Sequence, residues 1–273
     1  MEGMESVRLI EQWPVDNAAT AVVRADGTVL GTHGDTARIF PLASVTKLFT
    51  AYTALIAVEE GAVELDQPAG PEGATIRHLL AHTAGLGFNE HRVLAPPGQR
   101  RLYSSAGFEQ LADAIAEHTG IAFDTYQDEA LFQPLGMRDT VLKGSPGAGA
   151  ESCVDDLVRF ATELQNPSLI DRSTLDTATR VAFPGLNGVL PGFGHQKPND
   201  WGLGFELRGN KAPHWTGKRS SPRTFGHFGQ SGTFLWVDPD AGVACIALTD
   251  RAFGPWAAQV WPEFTDAVLA ELA

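Results

Sequence analysis

The chain has 273 residues, 43% of them hydrophobic and 19% charged, enough for one large packed domain or two small ones and unlike a disordered or fibrous polymer. A formal net charge of −13 argues against general nucleic-acid or anionic-membrane binding, both of which need basic patches. Residues 1–8 are acidic and carry no apolar run, and no stretch reaches the ~18 apolar residues of a membrane span. The expectation is a cytoplasmic protein with no signal peptide in the given chain.

In chain order, two β-prone runs at 20–24 and 28–31 flank Asp26-Gly27, the pattern of a hairpin. A helix follows at 45–60. Leu48, Phe49, Tyr52, Leu55, Ile56 and Val58 make it apolar on most faces, so it belongs in the middle of a domain, with Gly61 as its cap. Ser44 and Lys47 stand at its start. Three residues apart on a helix, they lie one above the other, so local geometry alone brings a hydroxyl to an amine. With 11 serines and 5 lysines, such a pair arises by chance in about one chain in five of this composition, and a capping serine before a surface lysine explains it equally well in isolation. The apolar helix weakens that plain explanation, because Lys47 would then be buried.

His78 and His82 follow four apart on a short helix at 75–83 closed by Gly85. Leu79-Leu80 occupies the place where a metalloprotease helix needs a glutamate, and no third ligand is evident, so metal binding is the minor reading and a structural hydrogen bond from one of the two histidines the main one. Helices are expected at 106–118, 123–132 and 153–164, with a turn at 134–137. The Gly-, Pro- and Asn-rich stretch 184–200 reads as a mobile loop near a site mouth. The pattern then shifts to strands at 201–207, 224–229, 233–237 and 243–248, and a final helix closes the chain. Cys153 and Cys245 read as reduced buried thiols, and no zinc-type spacing exists. Strands at both ends and helices between imply an α/β fold of α+β sandwich type: one antiparallel sheet built from both termini and flanked by helices, with a mostly helical second lobe. The single domain 1–273 would divide into a sheet lobe (about 1–68 plus 200–273) and a helical lobe (about 69–199).

Three elements stand in order: Ser44-x-x-Lys47, Tyr103-x-Ser105 and His227-x-Gly229. With 76–86, 134–140 and 202–205 they make the chain resemble the serine β-lactamase and penicillin-binding protein family over almost its whole length. The tyrosine that opens the second element points to the branch holding class C β-lactamases, DD-peptidases and related esterases. His118-Thr119-Gly120 also matches His-x-Gly, but it closes a helix, so capping explains it.

The resemblance implies Ser44 as nucleophile, Lys47 as its base and Tyr103 as a second proton-transfer group. It implies an oxyanion hole from the backbone N–H groups of Ser44 and Gln230, and substrate contacts at Ser105, His227 and Gly229. It implies no metal and no cofactor. The partner is a small-molecule ester or amide, and the oligomeric state is left open. Ser105 is shorter than the asparagine usual at its position, and His227 replaces the lysine of most class C β-lactamases. Both departures favour an esterase-like hydrolase working through an acyl-enzyme. The alternatives are a β-lactamase or a DD-carboxypeptidase/D-aminopeptidase, and beyond those a penicillin-recognising sensor that acylates without turnover.

Overall fold

The structure is a computed structural model and describes residues 3–273. A 3-10 turn at Ser6–Gln12 leads into β1 (Ala18–Arg24) and β2 (Val29–His33), joined through Gly27 in the left-handed region at φ +83°. The short β3 (Phe40–Pro41) enters a 3-10 turn, Ala43–Val45, that continues directly into α1 (Thr46–Glu59). The central part holds α2 (Ile76–Leu80), α3 (Ser105–Thr119), α4 (Phe123–Gln127), α5 (Gln133–Leu135), β4 (Val141–Leu142), β5 (Ala150–Ser152), α6 (Val154–Gln165) and α7 (Arg172–Ala178). The last third holds β6 (Gly188–Leu190), β7 (Gly194–Gln196), β8 (Glu206–Leu207), β9 (Phe225–Gly229), β10 (Thr233–Asp238), β11 (Val243–Thr249) and α8 (Pro255–Glu271).

Both chain ends build one sheet, as the sequence implies. Its strand order is β2-β1-β11-β10-β9-β8 with antiparallel neighbours throughout. β1 lies along β11 with Ala18 opposite Thr249 and Arg24 opposite Val243. Every residue of β10 and β11 is buried, which explains their unbroken apolar runs. On one face Trp13, Trp236, Trp261 and Phe264 form a core with the N-terminal turn and α8. The other face meets α1 and α6 through Phe49, Leu55, Leu157 and Phe160. Thus α6, which lies inside the stretch expected to form the helical lobe, packs on the sheet itself.

Three local expectations are corrected. The stretch 184–200, read as a loop, contains the β6–β7 hairpin, with Val189 opposite His195. The strand expected at 201–207 is only two residues long. Gly202-Leu203-Gly204-Phe205 is a tight turn instead, because Gly204 lies at φ +89° with its absent Cβ pressed toward Ala51 of α1. The helix expected at 123–132 is interrupted by a π turn over Asp128–Phe132, and α5 runs through part of the expected turn before Gly136 ends it at φ +70°. No described helix is long and apolar enough to cross a membrane.

Candidate active site

The turn that carries Ser44 is held from three sides. Thr233 Oγ1 donates to Leu42 O at 2.9 Å, and Ser231 Oγ donates to Pro41 O at 2.7 Å. Thr46 Oγ1 accepts from Ala150 N at 3.0 Å. Ala43, just before Ser44, sits at φ +47°, a conformation that costs a non-glycine residue of order 1–3 kcal/mol and persists only where neighbours enforce it. Gly229 is part of that enforcement. A Cβ there would overlap Leu42 O and press on Thr233 Oγ1, so its lack of a side chain admits the close approach of the Ser44 turn's backbone. The same bonds tie the turn after β9 to the Ser44 turn, and Gln230 and Ser44 line one chamber.

Lys47 is fully buried. Its Nζ lies 2.8 Å from Gly147 O, 2.9 Å from Ser105 Oγ and 3.3 Å from Ser44 Oγ. Burial pulls the amine down to about 7, with the Glu109 carboxylate opposing. Gly147 O can only accept. A neutral Lys47 that donates one N–H there and one to Ser105 Oγ turns its lone pair toward Ser44. Tyr103 OH lies 2.7 Å from Ser44 Oγ on the other side and 3.3 Å from His227 Nε2. Burial pushes the Tyr103 phenol well above its usual range. His227 Nδ1 donates to Phe228 O at 2.6 Å, which leaves Nε2 as an acceptor facing Tyr103. Burial, and then the neighbouring Lys47, lower the imidazole to about 3, so it is neutral at physiological pH. A hydroxyl flanked by a neutral amine and a protonated phenol can lose its proton to one and receive a proton from the other.

A family model described as β-lactamase matches residues 15–270. The chain belongs to the β-lactamase family. A crystal structure described as a β-lactamase from Mycobacterium bovis is 56% identical, with a TM-score of 0.96 over 98% of this chain and 99% of that one. The β-lactamase of Escherichia coli K12 is 25% identical over 64% of this chain and 63% of its own length. The D-alanyl-D-alanine-carboxypeptidase/endopeptidase AmpH of the same organism is 30% identical over 38% of this chain. The match spans 37% of AmpH, so the chain aligns with well under two thirds of that relative. EstCE1, described as a hydrolase with promiscuous acyltransferase activity, shares the fold at 19% identity with a TM-score of 0.78 over 97% of this chain and 96% of that one.

Within this family's cleft the structure brings Ser44, Lys47, Tyr103, Ser105, His227 and Gln230 together. Ser105 touches Lys47 and His227 faces Tyr103, and His227 also lines the chamber around Ser44. His82 stacks on Phe108 and lies 4.7 Å from the Tyr103 ring, centroid to centroid, with Nδ1 accepting from Ser104 N at 3.1 Å. His78 caps α2 through Thr75. Both histidines thus make a local structural hydrogen bond, where the sequence reading expected one of them to. The chamber around Ser44 is about 310 Å³, with Phe88, Leu190, Trp201, Trp215 and Phe228 in its walls. Glu206 also reaches it, already held by Lys211 at 3.0 Å and His214 at 2.8 Å. Sequence reasoning missed Gly147, Trp215 and Glu206. Gly147 acts through its carbonyl, which no residue type signals. Trp215 and Glu206 belong to no motif.

Proposed function

We propose that this β-lactamase-family hydrolase cleaves a small ester through an acyl-enzyme on Ser44. The observation that carries the reading is the position of Ser44 Oγ, 3.3 Å from Lys47 Nζ and 2.7 Å from Tyr103 OH. Lys47 takes the Ser44 proton as the serine attacks the ester carbonyl. The Ser44 and Gln230 N–H groups face the oxygen that becomes negative. Tyr103 gives its proton to the leaving alcohol oxygen as the carbon–oxygen bond breaks, and the proton held on Lys47 restores the phenol. Water then attacks the acyl-enzyme, loses a proton to the same groups, and releases acid and free Ser44. Ester is favoured over β-lactam because neutral His227 stands where most class C β-lactamases place a cation, and because the chamber walls are mainly aromatic and aliphatic.

Intact-mass measurement with a fluorophosphonate and with a penicillin, on wild type and Ser44→Ala, tests the nucleophile. The expected result is a fluorophosphonate adduct on wild type alone. Absence of any wild-type adduct from either probe sinks the assignment. Turnover of short p-nitrophenyl esters but not of nitrocefin supports the esterase reading. A second reading, β-lactamase, is favoured by the 56% identical chain described as one, and rapid nitrocefin turnover would establish it instead.

A further inference from the structure

A second, larger compartment of about 710 Å³ abuts the Ser44 chamber across Phe88, Tyr103 and Pro191, which line both. Its charge runs against that of the molecule. For a wall of 17 residues, the composition of the chain would supply about two carboxylates and about one cation. The wall instead contains Arg100, Arg101 and Lys197, with His195 beside them, and no Asp or Glu among the described residues. Arg100 and Lys197 are exposed, and neither forms an ion pair among the described residues. Arg101 is buried and spends its donors on the carbonyls of Ala81, Asn199, Ala182 and Phe183 at 2.7–3.1 Å. Burial lowers it to about 10, with Asp200 opposing, so it remains a cation behind the wall. Phe88, Leu94 and Val189 expose 50–58% of their surface at the same compartment. The site thus combines an apolar rim with two free cations and one fixed one.

We propose that this outer compartment binds an anionic group on the leaving-group side of the substrate, an alcohol or thiol bearing a carboxylate or a phosphate. The assignment rests on the esterase reading above, because Tyr103 as proton donor puts the leaving atom at Tyr103, and the compartment begins there. Ser44 and Gln230 line only the inner chamber, which is left for the acyl part. The cations here are distinct from the one absent at His227, which lines the inner chamber beside Tyr103 and not the outer compartment.

The test uses the full chain and two readouts. First, the rate of fluorophosphonate labelling of Ser44 is followed by intact mass with 4-hydroxybenzoate, phenyl phosphate or phenol as competitor. Both anions are expected to protect wild type better than phenol does. That advantage should fall about tenfold in Arg100→Gln/Lys197→Gln and in wild type at high salt. Second, kcat/KM is compared for a butyrate ester of 4-hydroxybenzoate, a butyrate ester of hydroxyphenyl phosphate, p-nitrophenyl butyrate, and p-nitrophenyl succinate, whose anion lies on the acyl limb. The double variant should lose preference for the first two relative to the third. The carboxylate and phosphate arms tell which anion fits better. Equal protection by phenol and the anions, or a preference that the double variant retains, overturns the proposal. So does a loss confined to the succinate ester. Failure of Ser44 to label at all overturns the hydrolase reading and this one with it, an outcome distinct from labelling without anion selectivity. Unchanged circular dichroism of the double variant excludes unfolding as the cause.

Discussion

In the proposed mechanism Lys47 is the residue on which the chemistry turns, and its burial makes two measurements informative. An amine lowered to about 7 is a base only when deprotonated, so kcat/KM for a neutral ester is expected to rise with pH and level off above about 7. His227, at about 3, adds no break between pH 5 and 8. An acid limb centred near 5, where neither group titrates, would refute the assignment. Stability gives the second test. Below about pH 7 Lys47 carries its proton in both folded and unfolded chains, and folding bears the full cost of burying it. Between about 7 and the unperturbed 10.5 the unfolded chain binds more protons, so wild-type stability gains up to ~1.4 kcal/mol per pH unit from this group. Lys47→Met removes that dependence. It also leaves Ser105 Oγ and Gly147 O without their donor, but that loss does not vary with pH. The Lys47→Met variant should therefore gain on wild type at pH 6, with the difference shrinking toward pH 10 in urea denaturation. A difference independent of pH would mean that Lys47 is not held neutral by burial. For Tyr103→Phe, loss of the proton donor predicts a fall in kcat/KM of roughly 10²–10⁴, with melting temperature little changed.

At the scale of the element, the Ser44 turn and the β9–β10 corner act as one unit. Gly229→Ala separates a steric role from a conformational one. Its Cβ would strike Leu42 O and Thr233 Oγ1, both backing the Ser44 turn, and displacement of Ser44, the proposed nucleophile, by about 1 Å predicts a loss of kcat/KM on the order of 100-fold. Gly61→Ala is the control. Gly61 lies at φ +74° with nothing near its missing Cβ, so the substitution should cost about 1 kcal/mol of stability without touching catalysis. Comparable activity losses in both would mean that general destabilisation explains Gly229. Much of this unit was legible in the sequence: the Ser-x-x-Lys spacing at a helix start, the apolar faces of α1, and strand context around His227. The missing parts have no residue-type signature. The carbonyl of Gly147 reaches Lys47 across 100 positions in the chain, and the positive φ of Ala43 depends on contacts from β10. Trp201 lies in the stretch 201–207 that reads as a strand but forms one only at Glu206–Leu207, because a glycine at a close helix approach resembles a strand glycine until the helix is placed.

For the whole molecule, the joining of the termini in one sheet was readable because neither end could complete a sheet alone, whereas the division of labour among the helices was not. The strong apolar stripe of α6 says that it is buried against something, but not against which lobe. In the structure Val154, Leu157, Phe160, Ala161 and Leu164 are buried, with α6 lying on β1 and β11. A fragment of residues 69–199 would expose that stripe along with the face of α3 that meets α1. Four of the five are larger than alanine, and at about 1.5–3 kcal/mol for each such side chain removed from water, the loss is on the order of 10 kcal/mol. That equals the typical net stability of a domain. The fragment expressed alone is therefore expected to give no cooperative thermal transition and no strongly protected amides in hydrogen exchange, while the full chain unfolds in one transition. A protected, cooperatively melting fragment would show that the helical stretch is a separable domain and that the α6–sheet contact is dispensable.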